Sequence, residues 1–107
     1  MDSATPWDMS YYYDIIDLQF FLENHELIPD VYYKEYYSGN SEKADKILMD
    51  WLGYDSVKHM GCFSVSVSVD KEGYFDSDIT SPPPSLDINI YRKFLDFVMD
   101  DVNWKIS

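Results

Sequence analysis

A chain of 107 residues with 46% aliphatic and aromatic side chains has the length of one domain with one core, and it is too apolar for disorder over most of its course. Twenty Asp and Glu against eight Lys and Arg leave a net charge of −12. That charge argues against direct nucleic-acid binding, which needs cations to neutralise phosphates; it favours encounter with a basic partner, although solubility alone also benefits from carboxylates.

Residues 1–107 read as a single acidic α+β domain, with residues 1–10, which include Pro6 and Trp7, as a flexible lead-in. Ser10 is expected to cap a helix running to about Glu26. Asp14 and Asp17 fall near its start, where carboxylates suit the helix dipole. Ile15, Leu18 and Leu22, with Phe21 beside them, supply its core stripe. Pro29 ends that element. Asp30 then caps a short helix from Val31 to about Ser38, closed by Gly39 in the left-handed conformation.

From Asn40 or Ser41 the clearest helix follows, with Ala44, Ile47, Leu48, Trp51 and Leu52 at three- and four-residue spacing and Gly53 as its stop. After Gly61 the period changes to two. Phe63, Val65, Val67 and Val69 alternate with Ser64, Ser66 and Ser68, as in a strand with one buried and one wet face. Asp70-Lys71-Glu72-Gly73 is a hairpin loop, and Tyr74 to Thr80 is the returning strand. On it Phe75 and Ile79 share one face, while Asp76 and Asp78 point to the other.

Ser81-Pro82-Pro83-Pro84-Ser85 is a stiff connector. Leu86, Ile88 and Ile90 fit either a short third strand or the approach to the last helix, with Asn89 as cap. Phe94, Leu95, Val98, Met99 and Val102 define a C-terminal helix from Tyr91 to about Asn103. The fold class is α+β: three N-terminal helices, a β-hairpin or small antiparallel sheet, and a C-terminal helix packed on it.

Catalytic chemistry has few carriers here. His25 and His59 lie near element ends, where a solvated imidazole is the usual case. His59-Met60-Gly61-Cys62 offers one imidazole and one thiol, too few ligands for a recognisable metal site. With no phosphate-cradling glycine loop or nucleophile elbow, the chain is read as not an enzyme and as needing no cofactor or metal. No apolar run approaches the ~20 residues of a membrane span, so no membrane contact is expected. Met1-Asp2-Ser3-Ala4 lacks a leader pattern, and Cys62 is a lone cysteine. The expected location is therefore the cytoplasm of a bacterial or phage-infected bacterial cell.

Tyrosine beside carboxylate is the better lead. On the short helix Tyr32, Tyr33, Tyr36 and Tyr37 surround Glu35. The expected arrangement puts Tyr33 and Tyr37 in the core and leaves Tyr32, Glu35 and Tyr36 for a partner: rigid aromatic area plus an anion for Lys or Arg. Tyr11-Tyr12-Tyr13 before Asp14 and Asp17 repeats the pattern. On the hairpin, Asp76 and Asp78 stand about 6.5–7 Å apart, a spacing at which acids could imitate a row of phosphates.

The candidate partner-binding residues are thus Tyr32, Glu35, Tyr36, Asp76, Asp78, Asp14 and Asp17, and the expected partner is a basic protein, either a nuclease toxin or a nucleic-acid-binding defence complex. The function these features suggest is an immunity protein that neutralises a nuclease. The alternatives are an anti-CRISPR or anti-restriction mimic of nucleic acid, and an adaptor domain whose acidity only keeps it soluble. The run Leu27-Ile28-Pro29-Asp30-Val31-Tyr32-Tyr33 with Asp50-Trp51-Leu52 resembles barstar-type ribonuclease inhibitors over a short part of the chain. Their glycine-linked pattern after the tyrosines is missing and the hairpin does not match, so no family is assigned on it.

Overall fold

Three consecutive tyrosines and a valine alternation far along the chain build the sheet. In the computed structural model, which describes residues 9–107, Met9–Asp14 forms strand β1. It pairs antiparallel with β2 (Ser64–Val69), which pairs antiparallel with β3 (Phe75–Thr80), in the order β1-β2-β3. Most of the lead-in expected from the sequence, residues 1–8, lies outside the described residues.

The helix expected from Ser10 is corrected in its first part. Helix α1 covers only Ile15–Asn24, and Ser10 sits in β1. Two causes combine. Stiff aromatic side chains favour a pleated, half-buried surface, and Tyr13 finds one opposite Val65. Asp14, not Ser10, is the cap: its Oδ1 accepts from the N–H groups of Ile16 (3.0 Å) and Asp17 (3.3 Å). Asp17 returns the bond by accepting from the Asp14 N–H at 2.9 Å. Such a capping box is worth about 1 kcal/mol and fixes where strand gives way to helix.

Helix α2 spans Asp30–Tyr37, α3 spans Ser41–Leu52 and α4 is a single turn, Val57–Met60, that the sequence reading omitted. Asp30 does not cap α2; Pro29 holds that position without a side-chain bond. Helix α5 runs Ile88–Ile106. The third-strand option for residues 86–90 is not realised, nor is Asn89 the cap. Asp87 Oδ1 accepts from the N–H groups of Asn89 (2.8 Å) and Ile90 (3.4 Å) and starts the helix there. The third strand comes instead from the N-terminal end. The architecture remains α+β, as the periodicities imply.

The connector after β3 is pinned at both ends. The Tyr54 hydroxyl donates to the Ser81 carbonyl at 2.7 Å, and the Ser85 N–H donates to the Leu52 carbonyl at 2.9 Å. The second contact needs Gly53. Its φ is +92°, and a Cβ there would meet the Ser85 backbone nitrogen at 2.8 Å. Glycine is required for both reasons.

The core lies between the helices and one face of the sheet. Leu18, Leu22, Phe63, Val65, Val67, Phe94, Val98 and Val102 are all buried. Phe94 of α5 joins the layers, its ring centroid 5.5 Å from Phe21 of α1 and 6.2 Å from Phe63 before β2. The end of α5 is tied to β1, where the Tyr13 hydroxyl donates to Asp101 Oδ2 at 2.6 Å. Lys105 Nζ lies 2.9 Å from the same carboxylate and 5.2 Å from the Tyr13 ring centroid. Helix packing thus claims one face of the sheet and leaves the other open.

Candidate functional site: the open sheet face

Strand register decides what the open face displays. Paired residues of an antiparallel sheet point the same way, so three cross-strand ranks result: Ser10–Ser68–Asp76, Tyr12–Ser66–Asp78 and Asp14–Ser64–Thr80. No Lys or Arg occupies any of these positions. The Ser10 and Ser68 hydroxyls lie 3.1 Å apart and satisfy each other. Tyr12, in the central rank, is 74% exposed. A rigid ring standing clear of the surface on the outer strand β1, beside Ser66 and one strand further from Asp78, is costly to leave in water and productive to cover.

At the hairpin end of this face a recess of about 350 Å³ is lined by Ser10, Ser68, Asp70, Tyr74, Phe75 and Asp76, among others. Asp70 shapes the turn: its Oδ1 accepts from the N–H groups of Glu72 and Tyr74, both at 2.9 Å. Gly73, at φ +83°, supplies the left-handed residue that the loop needs. Tyr74 is 72% exposed at the rim. With Asp70 engaged in the turn, the Asp76 carboxylate and the Tyr74 phenol beside this cation-free hollow suit an ammonium or guanidinium group.

The residues singled out from sequence divide sharply. Asp76 and Asp78 are exposed, and their carboxylates make no hydrogen bond or ion pair with the described residues. Asp14 reaches the edge of the same face, but its carboxylate is occupied as a helix cap. Asp17 is half-buried in the same box, and burial raises its carboxyl above the ordinary range. Neither is free to meet a partner at full strength.

On α2 the expectation is reversed for Tyr32 and Tyr37, while Tyr36 is exposed as expected. Tyr32 is the buried tyrosine, with its hydroxyl accepting from Gln19 Nε2 at 2.7 Å, and burial pushes that hydroxyl up to about 12. Tyr33 is half-buried, and Tyr37, expected in the core, is 79% exposed. Glu35 is engaged locally, accepting from Asn40 Nδ2 at 2.9 Å with Lys43 Nζ at 3.7 Å. Of the α2 candidates only Tyr36 keeps an exposed ring, stacked on Tyr32 at 5.9 Å. A smaller recess of about 280 Å³ beside α2 is lined by Glu23, Glu26, Ile28, Asp30 and Tyr33.

The sequence reading noted the Tyr11-Tyr12-Tyr13 run without singling out Tyr12, and did not single out Tyr74, as exposed rings. The signal for Tyr12 was its alternation with Tyr11 and Tyr13, which reads as period two once the stretch is a strand. The histidines are used locally. His25 Nδ1 lies 2.9 Å from the Phe21 carbonyl and His59 Nδ1 lies 3.1 Å from Asp55 Oδ1. Among the described residues no group of three or more His, Cys, Asp or Glu could hold a metal ion, and no helix is long and apolar enough to cross a membrane.

No protein-family model matches the chain, and neither a curated protein nor a solved structure matches it.

Proposed function

We propose that this chain is a stoichiometric binding protein that blocks a basic, nucleic-acid-handling surface of a partner protein, in the manner of an immunity protein against a nuclease. The observation that supports it most is the open sheet face: Tyr12 exposed on β1, Ser66 beside it on β2 and Asp76 and Asp78 on β3, with no cation on any of the three strands' outward positions. An exposed aromatic anchor inside an anionic, hydroxyl-bearing surround is complementary to a groove built to hold phosphates. The net charge of −12 adds long-range steering toward such a groove. The binding role calls for no catalytic group and no cofactor.

The face favours a plug over an extended mimic of a duplex. Asp76 and Asp78 form a row of only two successive same-face acids, and the next position on that strand is Thr80. A phosphate mimic needs a longer ladder of charge.

The test is affinity capture with the chain as bait in its native host, followed by assay of the captured protein on nucleic acid. The expected result is a basic protein whose nuclease or nucleic-acid-binding activity falls stoichiometrically as the chain is added. Binding should weaken steeply with salt. Capture unchanged at roughly 1 M salt, where the screening length is about 3 Å, or a captured protein whose activity is untouched, would overturn the proposal.

A further inference from the structure

β3 is an edge strand. Among the described residues it has β2 on one side and no strand on the other. The hairpin fixes which of its amides face outward. The Asp70 N–H donates to the Tyr74 carbonyl at 3.1 Å, and the register continues Val69↔Phe75, Ser68↔Asp76, through to Ser64↔Thr80. In an antiparallel ladder bonded and non-bonded pairs alternate. Asp76, Asp78 and Thr80 therefore exchange backbone bonds with β2, whereas Phe75, Ser77 and Ile79 direct their N–H and C=O groups away from the sheet.

Such an edge is a template for another strand, and proteins usually blunt it. Here the guards are Asp76 and Asp78, both on the open face; the core side of the edge carries Ile79, still 37% exposed. Charge decides which strand the edge admits. A second copy of β3 paired antiparallel about Ser77 would set Asp76 directly opposite the copy's Asp78. Like charges so opposed are unfavourable. A strand with Lys or Arg at those positions meets the opposite condition.

We infer that the β3 edge receives an extended segment of the basic partner as a fourth antiparallel strand, with Lys or Arg opposite Asp76 and Asp78 and an apolar side chain beside Ile79. The inference rests on the proposed basic partner and specifies how that partner is held: main-chain bonds supply the grip and alternate side chains the selectivity.

The probe is a capped Lys-Val-Lys-Val-Lys-Val peptide at millimolar concentration, with Glu-Val-Glu-Val-Glu-Val as its control. Both are titrated into the isotope-labelled chain and followed by amide shifts and hydrogen exchange. The Lys/Val peptide should slow exchange at Phe75, Ser77 and Ile79, and the Glu/Val peptide should not. Ser77→Pro removes an outward N–H and no bond to β2, a place where an edge strand tolerates proline; it should abolish the protection. Asp76→Lys with Asp78→Lys keeps every backbone group and should transfer the protection to the Glu/Val peptide.

If shifts spread over Tyr12 and Ser66 without protection of the three amides, strand addition is wrong while the acidic-face reading stands. Equal binding of both peptides would overturn the inference as well as its charge basis. Protection of the same amides by raising the protein concentration alone would identify a second copy as the occupant and overturn the inference.

Discussion

In α2 the tyrosine with the best claim to a partner, Tyr32, is sealed in the core and its hydroxyl is held by Gln19. On the sheet, Tyr12 stands on a face that none of the described helices covers. The neighbouring carboxylates follow suit: Glu35 is held by Asn40 and Lys43, whereas Asp76 and Asp78 make no such bond with the described residues. The two regions draw on the same residue types, so composition cannot rank them. What ranks them is whether local geometry already spends the polar group. A carboxylate that caps, or pairs within its own element, has little left for a partner.

The largest expected effect separates the two tyrosines. Tyr32→Ala should cost about 3–5 kcal/mol of folding stability in urea titration, the usual range for a large aromatic lost from a packed core. Tyr12→Ala should leave stability within about 0.5 kcal/mol and instead weaken partner binding by about tenfold or more, as truncation of an interface anchor does. Equal stability losses for the two would erase the distinction.

Next comes the charge on the sheet. Asp76→Asn with Asp78→Asn should leave the melting temperature unchanged or slightly raised, because self-repulsion falls. It should also slow association with the basic partner by about tenfold at low salt, with much less effect at high salt. Stopped-flow or surface-binding kinetics at two ionic strengths reads this directly. The corresponding change at Glu35, Glu35→Gln, should leave the association rate nearly unaltered.

Smaller again is the response to alkali. Burial raises the hydroxyls of Tyr13, Tyr32 and Tyr54 above their ordinary value, so the neutral form is the one the fold prefers. Their contribution is fully present below about pH 10 and is lost as pH rises from there through the folded-state values. Denaturation midpoints should therefore decline from about pH 10 upward, and Tyr13→Phe should reduce the slope. Asp101 acts at the other end. The Tyr13 hydroxyl and then Lys105 lower its carboxyl below the ordinary range. Its contribution is present above about pH 4 and fades as pH falls below that.

The smallest effect is expected at Tyr91, whose hydroxyl is buried and has no partner among the described residues. Tyr91→Phe removes a desolvated group that gains nothing from the fold, and should be neutral or stabilising by up to about 1 kcal/mol in thermal or urea denaturation. A clear loss of stability there would mean that the hydroxyl is satisfied in solution.

Much of the fold was legible along the chain. Ala44, Leu48 and Leu52 announce α3, Val65, Val67 and Val69 announce β2, and Phe94, Val98 and Val102 announce α5; all nine are buried as their spacing implies. Of the site, Asp76 and Asp78 were placed correctly on the wet side of the hairpin. Tyr12 and the capping roles of Asp14 and Asp17 were not. Residues 9–14 are too short to show a decisive period, and Ser10 is as good a helix cap in isolation as Asp14.

By itself, then, the sequence determined the α+β class, the long amphipathic helices, the hairpin and the sign of the field. Each depends on spacings within a few residues or on a simple count of charges. Only the tertiary structure decided that Tyr11–Tyr13 extend into a strand, that Tyr32 and not Tyr33 fills the core, and which sheet face stays open. Those outcomes depend on partners distant in sequence, Val65 and Val67 opposite β1, Gln19 against Tyr32 and α5 across one face of the sheet. A local pattern does not encode which of several equivalent side chains a remote surface will select.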